Sequence, residues 1–417
     1  MTADVVPQRA VLVAATTAEF DSRIQRLASG LRSRGHDVTI VARGGGAATT
    51  ADGSAGSTAD GVPIRRIALD RAVLLPGPLR PLARRLGRVI AGILPSRLVR
   101  MPAVLLDALA QGRLAAALVP AADVWHARGL LAVPTALALR DRHGGRVVYD
   151  AGDLYVDARN LARLPSPIRA LVGRWERRLA RRADALVTVN DGYRDVLGRR
   201  FGRPLTVVLN SPDTLPPTTD DPIRAALGLA PDIRVVLYHG GLTRDRGIEQ
   251  LIAAMANVPG AVLVLMGYGD HQADLVARAA AEPNGRLRLL PPVRPGQVLP
   301  WVASADVAAM LIQPTTLNHR LTTPNKLFEA MAAGTPVLAA DLPGMRSIVE
   351  SSGCGRLVDP TDVGAIAATL REMVEAPAEQ RMAWSEAGRR AIETTYGWGR
   401  QMDALTKVYR GLTGKPW

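Results

Sequence analysis

The chain alternates unbroken apolar runs with stretches whose apolar positions recur every three or four residues. "RAVLVAA" (residues 9–15) reads as a buried strand, "SRIQRLASGLRSRG" (22–35) as an amphipathic helix and "HDVTIVA" (36–42) as a second strand. Strand, helix and strand at this length make a βαβ unit, so the sheet is expected to be parallel. Further strands fall at "DVWHA", "RVVYDA", "ALVTVN" and "LTVVLN", with "ALVGRWERRLARRA" as a helix between two of them. Residues 43–61, "RGGGAATTADGSAGSTADG", are of low complexity and read as a flexible loop.

"NSPDTLPPTTDDP" (210–222) is dense in Pro, Thr and Asp, as a linker is. Beyond it the alternation restarts. Strands are expected at "IRVVLYHG", "AVLVLMG", "RLRLLPP", "DVAAMLI", "TPVLAAD" and "GRLVDP", separated by helices. The last periodic stretch, "GWGRQMDALTKVYRGL", is an amphipathic helix with no strand after it, free to cross back to the first half. The expected domains are residues 1–213 with 397–417, and residues 214–396. Two doubly wound α/β units joined by a hinge leave a cleft between them, with ligands at the C-terminal strand ends.

Bulk composition narrows the class. A length of 417 residues exceeds one ordinary core, which agrees with two domains. The single cysteine, Cys354, excludes a disulfide framework and a cysteine-based metal site, and fits a reducing cytoplasm. The first apolar run is preceded by Asp4 and ends at Glu19, so it reads as a strand and not as a signal peptide. No apolar segment approaches the roughly 20 residues of a membrane span. Charge is unevenly placed. Residues 1–213 hold 32 Arg against 18 acids, whereas residues 214–417 hold 20 Lys+Arg against 20 acids, so the whole excess of +14 lies in the first half. Such a field favours a polyanionic partner, and a solvated Arg-rich surface is the plainer reading.

Dinucleotide, P-loop, zinc-protease and α/β-hydrolase fingerprints are missing: "GYGDHQ" carries Gln272 where a GxGxxG would need Gly, and no GxxxxGK[ST], HExxH or GxSxG occurs. Three strand-end loops carry other chemistry. In "YHGGLTRDRG", Gly240 and Gly241 let backbone approach a ligand, and Arg244 or Arg246 suits phosphate oxygens. "MGYGD" is a second glycine loop. In "LTTPNKLFEAMAAGTPVLAAD" (321–341), Thr322 and Thr323 are placed to cap and Pro324 to open a helix that Gly334 ends. The amides at that helix start favour a phosphate, and Lys326, one of only three lysines in the chain, adds a point charge. Glu329, a turn further in, suits a ribose diol; an ion pair with Lys326 is the alternative. Phosphates with a ribose imply a nucleotide.

"TTPNKLFEAMAAGTPVLAAD", with "YHGGLTRDRGIEQLIAA" before it, resembles the nucleotide-sugar half of retaining GT-B glycosyltransferases, the glycosyltransferase family 4-like or glycosyl transferases group 1 proteins. "FDSRIQRLASGLRSRGHDVTIVA", "ERRLARRADALVTVN" and "YGWGRQMDALTKVY" resemble their opening βαβ unit, the end of their first domain and their returning helix. The resemblance covers nearly the whole chain. It implies the GT-B fold: two Rossmann-like, doubly wound parallel-sheet domains facing a cleft, with the C-terminal helix crossing back. It implies a nucleotide-diphosphate sugar as donor and no required metal or cofactor. Donor contacts would come from Gly240, Gly241, Val293 (near the base), Pro324, Asn325 and Glu329. Arg246 and Lys326 would neutralise the departing diphosphate. The family's acidic partner to the helix Glu, eight residues earlier, is Leu321 here, and Gly241 stands where an Arg is common.

In the first half the resemblance places His126 of "DVWHARG" at a strand end against the donor sugar, with Arg128 where many relatives have a second His. A His satisfied within the strand end is the alternative. "VVYDAGDLY" resembles a stretch whose His is replaced by Gly152, leaving Asp150 and Asp153 to line the acceptor side with Asp21 and Arg23. Asp21 equally suits a helix cap.

Residues 79–114 hold seven Arg and a single acid, Asp107, interleaved with Leu, Ile and Val. That composition suits either an interfacial helix on an anionic bilayer or an ordinary basic amphipathic helix. Docking there would make the acceptor a lipid-linked or cell-envelope glycan, and the protein peripheral on the inner face of the cell membrane. Two other classes remain, a GT-B nucleotide-sugar epimerase and a basic nucleic-acid-binding protein. The first needs acid/base groups not found here, and the second needs aromatics that a chain with 4% aromatic residues scarcely offers, so no nucleic-acid partner is expected.

Overall fold

A computed structural model describes residues 7–19, 21–44, 55–58, 60–68, 70–74, 76–79, 96–216, 218–282 and 284–417. The first half builds one sheet from β1 (Arg9–Ala14), β2 (Asp37–Arg43), β3 (Ala55–Ser57), β4 (Pro63–Ile67), β5 (Val124–Arg128), β6 (Arg146–Ala151), β7 (Ala185–Thr188) and β8 (Thr206–Val207). Their order is β3-β4-β2-β1-β5-β6-β7-β8. Every pairing is parallel except β3 with β4, which run antiparallel. The end of the stretch expected as a loop thus forms an edge strand, while its residues 45–54 lie outside the described residues. Strand β4, "PIRRI", went unread because two arginines interrupt its apolar pattern; Ile64 and Ile67 face inward while Arg65 is exposed. The expected strand "LTVVLN" shrinks to two residues. The Val208 amide still donates to the Thr188 carbonyl of β7, but the Leu209 amide donates to Gln401 Oε1 of the C-terminal helix instead.

The second half builds an all-parallel sheet from β9 (Arg234–Gly241), β10 (Ala261–Tyr268), β11 (Leu287–Leu290), β12 (Val307–Met310), β13 (Val337–Ala340) and β14 (Gly355–Val358). The order β11-β10-β9-β12-β13-β14 reverses direction between β9 and β12. Loops after β9 and β12 therefore diverge and open a crevice at the C-terminal strand ends. The inner strands β10, β12 and β13 are buried on both faces, which is why they read as continuous apolar runs, whereas the edge strands β11 and β14 are partly exposed.

The opening helix (Ser22–Arg32) and the returning helix (Trp398–Thr413) cover one face of the first sheet together. Ile24, Leu27 and Leu31 of one share a core with Trp398, Met402, Leu405 and Tyr409 of the other. The spacing of the second set, 4, 3 and 4 residues, is the helical stripe read from the sequence. Gly30 is required at this crossing, since a Cβ there would lie 2.7 Å from Nε1 of Trp398.

The opposite face of the first sheet buries a carboxylic acid. Glu176 accepts from the Tyr149 hydroxyl at 2.8 Å. Burial raises the Glu176 carboxyl to about 7, and the Tyr149 hydrogen bond only partly opposes it. Between the unfolded value of 4.5 and about 7 the folded chain therefore holds the proton more tightly. Stability is highest below that window and falls as pH rises through it, by on the order of 3 kcal/mol. Urea unfolding at pH 5 and pH 8 should show this loss in the wild type and a flatter profile in Glu176→Gln. Parallel profiles for the two proteins would refute the assignment.

Candidate functional site

The helix Asn325–Ala333 begins after Pro324 at its N-cap, and no side chain caps it. Thr322 and Thr323, expected to cap, do not. The Thr323 hydroxyl instead accepts from Nδ2 of Asn190, across from the other domain. Pro324 carries no side-chain acceptor, so the amides of Asn325 and Lys326 are left without a cap, while that of Leu327 donates to the Pro324 carbonyl at 3.0 Å. Gly334 ends the helix in the left-handed conformation (φ 75°), as expected. Arg389 donates to the carbonyl of Ala333 at 2.6 Å, placing a cation at the negative end of the dipole.

Lys326 does not pair with Glu329. Its ammonium sits over the Tyr238 ring, 3.6 Å from the centroid, and no carboxylate lies in ion-pair range among the described residues. Burial and then the Arg246 charge push it well below its ordinary pKa, against a weaker pull from Glu329. Among the described residues Arg246 has a hydroxyl partner, Thr243 Oγ1 at 3.4 Å, and no carboxylate in ion-pair range. Arg246 is near enough to lower the Lys326 pKa, and neither cation has a carboxylate partner among the described residues. Gly240 has φ 111°, and a Cβ on it would come within 3.4 Å of the Lys326 ammonium. Gly241 is under no such constraint, its nearest neighbour being the Thr243 methyl at 4.0 Å. Gly267 and Gly269 serve packing: a Cβ on either would strike the carbonyls of Gly240 and Leu242. The three loops read from the sequence do converge. Arg244 is exposed, and Val293 is half-buried after β11 at the edge of the second domain's core.

Glu329 is buried and faces the other domain. Nε2 of His239 is 3.0 Å from its Oε2, and Nη2 of Arg26, on the opening helix, is 3.4 Å from its Oε1. Burial alone would raise this carboxyl, but the hydrogen bond and charge of His239, with Arg26 behind them, hold it below the usual range. The interface continues on both sides. Asn325 donates to Ser22 Oγ, Asn190 to the Leu321 carbonyl and Asn318 to Asp153 Oδ1, while Arg163 pairs with Asp245. His239 and Arg26 were not anticipated. His239 sits inside the quoted "YHGG", beside the glycines that drew attention. Arg26 carries no sequence signal, being one Arg among many on a helix surface.

The first-domain residues divide differently from expectation. His126 does not face the cleft. It is fully buried, with Nε2 at 3.3 Å from Asp150 Oδ2 and Nδ1 at 2.7 Å from the Tyr409 hydroxyl of the returning helix. Asp150 and Arg23 do not line the acceptor side either. They form a buried two-point pair of 2.6 and 3.0 Å, and Arg23 also donates to the Val208 carbonyl at 2.7 Å. Burial opposes ionisation of Asp150, and Arg23, His126 and Arg128 more than reverse it, holding the carboxyl far below its ordinary value. Asp21 caps the opening helix, accepting from the Ile24 amide, and stands 3.9 Å from Nε of Arg128. Only Asp153, half-buried, and Arg128 remain toward the cleft. The Arg128 guanidinium lies against Gly152, where any Cβ would collide with it. Of the basic stretch 79–114, residues 80–95 lie outside the described residues, and a helix spans Ser96–Leu118. No helix among the described residues is long and apolar enough to cross a membrane, and no group of three or more His, Cys, Asp or Glu is placed to hold a metal ion.

Two Rossmann-like sheets, a crossing C-terminal helix and a cation-lined helix start in the cleft define the GT-B architecture. The profile of glycosyl transferases group 1 matches residues 219–391, and that of the glycosyl transferase 4-like domain matches residues 21–212. The chain belongs to this family of glycosyltransferases. It is 30% identical over 300 residues to a D-inositol 3-phosphate glycosyltransferase of Mycolicibacterium paratuberculosis, covering 69% of this chain and 66% of that one. It is also 30% identical over 267 residues to one of Xylanimonas cellulosilytica, covering 60% of this chain and 62% of that one. The matched stretches therefore span less than two thirds of these relatives. Among solved structures, sucrose-phosphate synthase from Thermosynechococcus elongatus superposes with a TM-score of 0.73 at 21% identity, over 98% of this chain and 99% of that one. Anabaena Alr3699/HepE in complex with UDP-glucose superposes with a TM-score of 0.69 at 17% identity, over 97% of this chain and all of that one.

The buried pair makes its own prediction. Asp150→Ala leaves Arg23 charged and without its carboxylate, and should cost about 3–5 kcal/mol of stability. A fall in the urea midpoint is the expected result. An unchanged midpoint would return Asp150 to the cleft.

Proposed function

We propose that the chain transfers a glycosyl group from a nucleotide-diphosphate sugar to an acceptor hydroxyl, with retention of anomeric configuration. The observation that carries this reading is the proximity of Lys326 and Arg246 at an uncapped helix start, with no carboxylate partner for either among the described residues. A diphosphate supplies a counter-charge. It would also relieve the repulsion that, after burial, lowers the Lys326 pKa. Glu329, held ionised by His239, accepts the ribose hydroxyls, and the base lies toward Val293. The UDP-glucose complex of the Anabaena structure supports a nucleotide-sugar donor, and the relatives' names support glycosyl transfer.

Catalysis then rests on positioning and on stabilising charge as the diphosphate departs. Lys326 and Arg246 do this work together with the helix amides. The leaving phosphate takes the acceptor proton, so no side chain is assigned as base. The acceptor binds from the first domain, past Asp153 and Arg128. A lipid-linked or cell-envelope glycan fits the arginine excess of that half, which would hold the protein peripherally against an anionic membrane. Polyol phosphates are the other acceptors to assay, given the relatives' names.

A thermal-shift panel of UDP-, GDP-, ADP- and dTDP-sugars identifies the donor, because a ligand that binds only the folded state raises the unfolding temperature. With that donor, Lys326→Ala should lower kcat about 100-fold or more. Undiminished turnover would remove the role given to Lys326. Glu329→Ala should mainly weaken nucleotide affinity, read as Kd for the free nucleoside diphosphate, and an unchanged Kd would refute ribose binding there.

A further inference from the structure

Arg26 stands where the donor ribose is proposed to bind. Its Nη2 is 3.4 Å from Oε1 of Glu329, whose other oxygen is taken by His239. Its Nη1 is held much more closely, 2.6 Å from Oδ1 of Asn210 and 3.2 Å from the Asn210 carbonyl oxygen. The guanidinium is thus anchored at the start of the interdomain linker and only leans on the carboxylate. The two side chains are 17% and 10% exposed, so the contact is screened little by water. Asn210 also donates to Ser22 Oγ, which accepts from Asn325 at the start of the cation-bearing helix. One polar chain therefore runs from His239 through Glu329, Arg26, Asn210 and Ser22 to Asn325, crossing between the domains.

We propose that Arg26 is a displaceable stand-in for the nucleoside: it covers the open oxygen of Glu329 in the empty protein and yields it when the ribose diol enters. This rests on the reading of Glu329 as the ribose-binding carboxylate. Displacement breaks only the longer contact, because Asn210 keeps the guanidinium satisfied afterwards. Arg26 accordingly sets donor affinity without belonging to the diphosphate site.

The sign of the effect separates this from simple electrostatics. Removing a cation near a diphosphate ordinarily weakens binding. Removing a competitor for Glu329 strengthens it. Calorimetric titration should use whichever of the ribonucleotides UDP, GDP and ADP the wild-type protein binds best. Arg26→Gln, which keeps a donor for Asn210, should lower Kd about three-fold or more, and Arg26→Met should do the same. In the Glu329→Ala background either change should have no further effect. The 2′,3′-dideoxy form of the same nucleotide, lacking the diol, should show no gain.

Unchanged or weaker binding in both Arg26 variants would overturn the proposal. So would an equal gain with the dideoxy nucleotide, or a gain that persists without Glu329. Thermal unfolding of each variant without ligand separates a folding defect from a binding effect. If Glu329→Ala itself leaves Kd unchanged, the ribose reading fails and takes this inference with it. If Glu329→Ala weakens binding and the Arg26 variants do not tighten it, the inference alone fails.

Discussion

A carboxylate with no access to water organises the first domain. Asp150 lies fully buried one residue before the end of β6, and an unpaired charge there would be intolerable. Arg23 answers it from the opening helix, and His126 passes the contact on to Tyr409 of the returning helix. Four elements far apart in the chain are thereby fixed to one point. The consequence reaches the cleft. Arg23 sets the rotation of the opening helix, and Ser22 and Arg26 on that helix are the groups that touch Asn325 and Glu329. The alignment of the two domains is tied, through one helix, to a buried ion pair well inside one of them.

The second domain solves the opposite problem. Its residues 214–396 hold 16 Lys+Arg against 19 acids, yet Lys326 and Arg246 stand near one another with no carboxylate partner among the described residues. The fold keeps them there by other means. The Tyr238 ring offers its face to the ammonium, and the left-handed backbone at Gly240 brings the chain close without a side chain. Net charge therefore says little about where a polyanion binds. Local geometry can concentrate cations within a domain that carries no net positive charge. The arginine excess of the first half is a separate matter, spread over helices such as Ser166–Arg182, whose arginines are mostly exposed.

Much of this was legible in the chain. Parallel strands buried on both faces must be apolar throughout, so the order of strands and helices could be read directly, as could the linker and the returning helix. The three strand-end loops could be picked out too, by their glycines and the Pro-Asn-Lys helix start, and they converge in the fold. What escaped were short or interrupted elements. Strand β4 is broken by arginines, β3 lies at the end of a low-complexity run, and β8 is cut short because Leu209 binds a glutamine 192 residues away.

The fate of the polar residues at strand ends was beyond the sequence for one reason. Whether a side chain such as His126 meets solvent, ligand or core depends on what packs over it, and its partner Tyr409 lies 283 positions further on. Local pattern fixed which residues share a strand or a helix face, because backbone geometry repeats every two or 3.6 residues. Only the folded chain decided that Asp150 and Arg23 are structural, that Glu329 faces Arg26 across the cleft, and that Lys326 is left without an acid. Those outcomes follow from distances between segments, and no periodicity along the chain encodes them.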